Sequence, residues 1–255
     1  MLDDPIALAI PHVGPVVRAT PVNGFVGNQT FRLETRDAVY YLKAGATVAE
    51  EADACRLARS VGVPAPEVVA SSAEYLIMRE LPGRPLMAGS PDLGAVLRVV
   101  GESVRRVHTI VDPSAVWGNR LWGVLDGLDV LPVELAARVR EVMPGFVDSV
   151  AGVVPALLHG DLHLRHVYAA GAELAGILDW GDAAYGDPLF DLARLSMAGP
   201  EVTAAFLAGY GAVDAPARTL SMYRALWSLI ALQAEHAAGG DWIQPHLDTI
   251  AREVS

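Results

Sequence analysis

Apolar positions change period several times along the chain, and each change marks an element. Residues 22–33 and 39–43 are rich in β-branched and aromatic side chains and flank the polar Thr35-Arg36-Asp37, which predicts a β-hairpin. Thr47-Val48-Ala49-Glu50 has the form of a capping box, so a helix is predicted from there to about Val61, stopping at Gly62. Pro64 and Pro66 force an extended segment, with strands predicted over residues 67–70 and 75–79. The turn-rich stretch Leu81-Pro82-Gly83-Arg84-Pro85 reads as a connector. Beyond it, Val96, Val100, Val104 and Val107 recur at helical spacing within residues 93–110, and residues 132–150 predict one or two further helices. Residues 157–179 predict two short strands around a loop. From Asp191 onward the chain reads as helical, broken around residues 209–216 and at Gly239-Gly240. The order predicts an α+β protein: a small β-rich lobe over residues 1–81 and a larger, mostly helical lobe over residues 82–255.

Composition narrows the class. Hydrophobic residues make up 52% of the 255 positions and charged residues 19%, which suits a globular chain with a substantial core. The apolar stretch 142–158 is interrupted by Asp148 and two prolines, so no run spans a bilayer and no membrane partner is expected. Met1-Leu2-Asp3-Asp4-Pro5 lacks the basic region of a signal peptide, and a single cysteine, Cys55, leaves no internal disulfide. Both lead us to expect a cytoplasmic protein. The expected assembly, which neither observation bears on, is a monomer or a homodimer. A net charge of −11 without any cluster of Lys or Arg argues against nucleic acid as a partner.

The candidate chemistry sits in Leu157-Leu158-His159-Gly160-Asp161-Leu162-His163-Leu164-Arg165-His166 and in Gly176-Ile177-Leu178-Asp179-Trp180-Gly181-Asp182. Each apolar run delivers an acid at its end. Phosphoryl transfer needs such a pair, one carboxylate to orient an acceptor hydroxyl and another to hold metal on the phosphates. A capping role accounts for one acid but not for both. The set His159, Asp161 and His163, with His166 and Asp179, also offers the ligand types of a metal-dependent hydrolase, which stays open as an alternative. A third reading is a nucleotide-binding relative without turnover.

These segments, followed by Gly186-Asp187-Pro188-Leu189-Phe190-Asp191-Leu192-Ala193, resemble the aminoglycoside phosphotransferase family of protein-kinase-like small-molecule kinases. The resemblance implies a two-lobed kinase fold that moves the γ-phosphoryl group of ATP or GTP to a hydroxyl. The acceptor would be small and cationic: an aminoglycoside-like antibiotic, an amino sugar or a related metabolite. It implies Asp161 as the catalytic acid, Asp179 as the main Mg²⁺ ligand and Lys43 as the phosphate clamp. Gly24 and Gly27 would lie in the loop over the phosphates, with Arg79 and Leu81 offering backbone groups to the base. Glu50 is expected to be consumed by the cap, leaving Glu51 to pair with Lys43. His166 departs from the pattern, standing where kinases carry a metal-binding Asn. Imidazole suits transition metals better than Mg²⁺, so Mn²⁺ enters as a candidate. Asp187 and Asp191 are expected to be structural, as a turn and a helix cap. Acceptor specificity is expected around Tyr185, Trp227, Gln233, Glu235, His236, Asp241 and Trp242, where acids and aromatics would suit a cation.

Overall fold

The computed structural model describes residues 4–22, 28–214 and 216–255. Gly24 and Gly27 lie outside the described residues. The N-terminal part is a five-stranded antiparallel sheet of order β1-β2-β3-β5-β4, formed by β1 (Val16–Val22), β2 (Gln29–Thr35), β3 (Val39–Ala44), β4 (Val68–Ser71) and β5 (Tyr75–Arg79). The expected hairpin is β2–β3, closed by the Glu34–Val39 pair. The expected single strand over residues 22–33 is instead the end of β1 and most of β2, and β1 itself carries no clear alternation in the sequence.

Alternation along β3 decides what the sheet does. Tyr40 and Leu42 face one side and pack with Leu33, Ile77 and Ala9, the last from helix α1 (Pro5–Val13). Tyr41 and Lys43 face the other side, toward helix α2 (Val48–Ser60), whose buried residues Val48, Glu51, Ala52, Ala54, Cys55 and Ala58 form one face. Thr47 makes no side-chain capping bond, so the capping box does not form. Glu51 points inward because helical spacing puts it on the face with Cys55 and Ala58, and Glu50 stays exposed on another face.

The remainder is built on helices α3 (Leu93–Val107), α4 (Trp117–Leu125), α5 (Val133–Val150), α6 (Leu189–Ser196), α7 (Pro200–Tyr210), α8 (Ala217–Ala238) and α9 (Ile243–Glu253). Val96, Val100, Val104 and Val107 are all buried, as their spacing predicts. Helices α3 and α7 approach backbone to backbone: a Cβ on Gly101 would lie 2.1 Å from the Phe206 carbonyl oxygen. A second core gathers α4, α5, α6, α8 and α9 around Trp117, Phe190 and Tyr223, with Trp117 and Phe190 edge to face at 5.4 Å. Among the described residues no helix is long and apolar enough to cross a membrane.

Two small sheets carry the acidic loops. Strand β7 (Ala156–Leu158) pairs with β10 (Ala184–Gly186), and β8 (Val167–Ala170) with β9 (Glu173–Ile177) and the short β6 (Arg84–Pro85). The strands that precede Asp161 and Asp179 therefore belong to different sheets rather than to one pair around a loop. Period-2 patterning in three- to five-residue strands carries no information about partners, so only the tertiary fold makes this assignment.

Candidate active site

Strand β7 ends at Leu158, and the chain turns sharply through His159-Gly160-Asp161. Gly160 has φ +87°, and a Cβ there would lie 2.2 Å from the Asp182 carbonyl oxygen, so no other residue fits. Asp191 holds this turn. Its fully buried carboxylate accepts the backbone N–H groups of His159 (2.8 Å) and Gly160 (2.9 Å), and His108 Nε2 approaches at 3.1 Å. Asp191 is thus not a helix cap, as expected from sequence, but the anchor, from within α6, of the turn that carries Asp161. Burial works against its ionisation, yet the His108 hydrogen bond and these amides hold its carboxyl below the usual range. The neighbouring Asp187 serves the first turn of α6 by accepting from Leu189 N (2.9 Å) and also accepts from the Tyr223 hydroxyl (2.7 Å).

Asp161 projects into a cleft of about 1530 Å³ between the sheet and the helices. Its Oδ1 accepts from Arg194 Nε at 2.7 Å, and its Oδ2 lies 3.5 Å from His163 Nε2. Burial raises this carboxyl, but His163 and the Arg194 charge prevail and hold it well below the usual carboxylate range. Asp161 is therefore a firmly ionised hydrogen-bond acceptor. Sequence reasoning missed Arg194, which lies 33 residues downstream and just past the matched motif. Its guanidinium also stacks on Trp227, 3.7 Å from the ring centroid.

Asp179 follows β9 with φ +64°, the one positive φ at a non-glycine position among the described residues. This conformation turns its carboxylate back toward the sheet, where Oδ1 meets Lys43 Nζ at 3.1 Å. Lys43 in turn pairs with Glu51 Oε2 at 2.6 Å, so the pairing expected of Glu51 is present despite the absent cap. Burial opposes the Lys43 charge, but the two carboxylates raise its pKa and keep it cationic. Asp182 lies near Asp161 and Asp179, and its carboxyl is raised by burial and by both neighbours.

The histidines divide by their partners. His159 Nε2 faces the Leu178 carbonyl at 2.9 Å and its Nδ1 faces the Asp161 amide at 3.3 Å, so both nitrogens are consumed. His163 Nδ1 accepts from Arg165 N at 3.2 Å, which places the proton of the neutral ring on Nε2, toward Asp161. Asp161, His163 and His166 lie close enough to share an ion. His163 has one ring nitrogen committed and both nitrogens of His159 are bonded, so of the hydrolase set His159 is not free to bind a metal. His166 differs: Nδ1 is 3.0 Å from the Asp161 carbonyl, which can only accept, so the lone pair is on Nε2, 3.6 Å from Asp179 Oδ2. Burial and the adjacent imidazoles depress His166 to about 4, leaving it neutral near pH 7.

Arg79, Leu81, Trp227, Glu235, Asp241 and Trp242 all line the cleft. The Arg79 amide is already bonded to the Glu67 carbonyl at 2.9 Å, so that amide is not available to a base. Tyr185, Gln233 and His236 do not reach the cleft: Tyr185 packs on the core, Gln233 ties down Val124 and Gly127, and His236 bonds within α8.

A profile described as "Phosphotransferase enzyme family" matches residues 18–226. The chain belongs to that family. The fold of this phosphotransferase is shared with solved structures at low identity. Choline kinase LicA from Streptococcus pneumoniae superimposes with a TM-score of 0.77 at 15% identity, covering 98% of this chain and 97% of that one. A thermostable mutant of aminoglycoside phosphotransferase APH(4)-Ia, in complex with ADP and hygromycin B, gives 0.73 at 19%, with 98% of each chain covered. A macrolide 2'-phosphotransferase from Brachybacterium faecium gives 0.66 at 19%, covering 98% and 96%. The protein-kinase-like architecture, with a β-rich N-terminal region and a helical C-terminal region, is that of the phosphotransferase family.

Proposed function

We propose that this phosphotransferase moves the γ-phosphoryl group of ATP or GTP to a hydroxyl of a small molecule. The observation that carries the reading is the chain Glu51–Lys43–Asp179. One ammonium bridges a helix over the sheet and the loop after β9, at 2.6 and 3.1 Å. A structural ion pair needs no second carboxylate from the opposite side of a cleft, whereas a group that grips phosphates beside a metal ligand does. Solved relatives in complex with ADP and hygromycin B, and with GDP and kanamycin, support a two-substrate cleft. The volume here exceeds the roughly 300–1,000 Å³ of a pocket for one drug-sized ligand.

Residues 1–81 would hold the nucleotide, with the Arg79 carbonyl and the Leu81 amide toward the base, and residues 82–255 the acceptor. Asp161 orients the acceptor hydroxyl. Its depressed pKa makes it a weak proton acceptor before the transition state, which suits a reaction driven by positioning and charge stabilisation. Asp179 and His166 fit a divalent cation. A carboxylate oxygen and an imidazole lone pair face the same space, and the other ring nitrogen of His166 donates to a backbone carbonyl, as metal-bound histidines commonly do. When bound, Mg²⁺ or Mn²⁺ would neutralise charge on the nucleotide phosphates. Glu235, Asp241 and the exposed Trp242 give the cleft a surface for the cationic part of an acceptor.

The test is nucleotide-dependent phosphorylation of aminoglycosides, amino sugars and amino alcohols, with Mg²⁺ and with Mn²⁺. Asp161→Ala should lower kcat by about 10²–10⁴-fold while nucleotide affinity stays within twofold. Turnover near the wild-type rate in that variant would sink the assignment.

A further inference from the structure

Helix α6 meets the turn that carries Asp161 at two points. Asp191 accepts the backbone amides of His159 and Gly160. Arg194 lies three residues on, and so on the same helix face, and reaches the side chain: its Nε donates to Asp161 Oδ1 at 2.7 Å. The two contacts have different effects. Asp191 fixes where the turn lies, but a carboxylate still rotates about its Cβ–Cγ bond, a broad and weakly held torsion. A charge-assisted bond to one of its oxygens removes that freedom.

Only one oxygen is held. Arg194 makes no other hydrogen bond among the described residues. A bidentate pair, frequent between arginine and a carboxylate, would engage both oxygens and leave less of Asp161 for a substrate. Here Oδ2 keeps only long approaches, 3.5 Å to His163 Nε2 and 3.9 Å to His166 Nδ1. The guanidinium is itself held by the Trp227 ring, 3.7 Å from the centroid, and that ring packs against the buried His246. A planar group stacked in this way loses less freedom when it forms its hydrogen bond than a free arginine would. We propose that Arg194 is a positioning residue for phosphoryl transfer, which holds Asp161 by Oδ1 and so presents Oδ2 to the acceptor hydroxyl. The inference rests on the kinase reading of Asp161 and deepens it by naming the oxygen that receives the hydroxyl and the residue that aims it. With its charge met by Arg194 at 2.7 Å, Asp161 is disposed to accept from a neutral hydroxyl rather than to bind an ammonium group.

The test is a double-mutant cycle of wild type, R194M, D161N and the double variant. Both kcat and KM are read with the acceptor that turns over fastest, or from nucleotide hydrolysis with water in the acceptor's place, and thermal melting checks folding. Arg194→Met should lower kcat about 10–100-fold while the nucleotide KM stays within about twofold. In the Asp161→Asn background the same change should cost about threefold or less, because the carboxylate it aims is already gone. Arg194→Lys keeps a cation for Asp161 without the planar stack and supplies a second cycle should R194M fold poorly. Its loss of kcat should be smaller and should also vanish with D161N. An equal loss in both backgrounds would show that Arg194 acts on the substrates or on the fold, and would overturn the proposal. An unchanged kcat, with or without a raised acceptor KM, would overturn it too. Wild-type protein that transfers no phosphoryl group to any acceptor or to water would sink the kinase reading, and this inference with it.

Discussion

Replacing Asp191 by Asn removes a charge and one acceptor from a site where nothing else can supply them. In the native protein Oδ1 accepts from Gly160 N, and Oδ2 accepts from His159 N while facing His108 Nε2. Asparagine has one oxygen. With it in the Oδ1 position, its NH₂ group faces the His159 amide, donor against donor; flipped, it faces the Gly160 amide instead. His108 can adapt, because its Nδ1 partner is the Tyr210 hydroxyl, which can donate or accept. The backbone amides cannot. One buried N–H is therefore orphaned in either orientation, at about 1–3 kcal/mol, and the surviving bonds lose their charge assistance, about 1–2 kcal/mol more. A total near 2–5 kcal/mol corresponds to a Tm drop of about 4–20 °C in a chain of this size. The assay is thermal or urea denaturation beside Asp161→Asn, a control in the same turn whose side chain is partly exposed. The deficit should also depend on pH. The native Asp191 carboxyl is depressed, so its contribution is present above the unfolded value of about 3.9 and lost as pH falls through the folded one. The gap between wild type and variant should close in acid. A Tm within about 2 °C of wild type at pH 7 would refute the reasoning, since it would mean the turn stands without its anchor.

Lys43→Met leaves the Glu51 carboxylate buried without its cation, a loss of about 3 kcal/mol at neutral pH. Burial already raises Glu51, and removing Lys43 raises it further, so the charged form is the costly one. A raised folded pKa gives stability at low pH that is lost as pH rises through it; the variant should gain stability as the solution is made mildly acidic, and a flat profile would count against the pair. His166→Asn puts an oxygen donor where the imidazole lone pair stands, so the Mn²⁺ to Mg²⁺ ratio, read both as activity and as cation affinity by calorimetry, should move toward Mg²⁺. An unchanged ratio by both measures would remove His166 from the metal site. Gly160→Ala should fold poorly, losing at least about 2 kcal/mol, because its Cβ would meet the Asp182 carbonyl at 2.2 Å in a left-handed backbone. Wild-type stability would show that the turn can relax.

The sequence by itself determined the family and the fold class and singled out Asp161 and Asp179 as candidate acids, because those depend on local pattern. Apolar runs that lead to Asp161 and Asp179, a lysine at a strand end and helical spacing through Glu51, Cys55 and Ala58 are all readable over a few residues. Glu51 was found even though the cap invoked to exclude Glu50 does not form. Helix-face geometry alone was sufficient. Short or irregular elements gave no such signal: α1 contains Pro11, β1 contains Pro21, and α4 is nine residues long. Only the tertiary structure decided who meets Asp161. Arg194 reaches it from 33 positions away, and Asp191 turns from a nominal cap into the anchor of the turn that carries it. It also left Tyr185, Gln233 and His236 outside the cleft: Tyr185 packs on the core, Gln233 ties down Val124 and Gly127, and His236 is exposed on α8. Hydrophobic periodicity fixes which face of an element is buried, but which faces then meet depends on packing across the whole chain, and the direction of a long polar side chain on that surface follows from its neighbours.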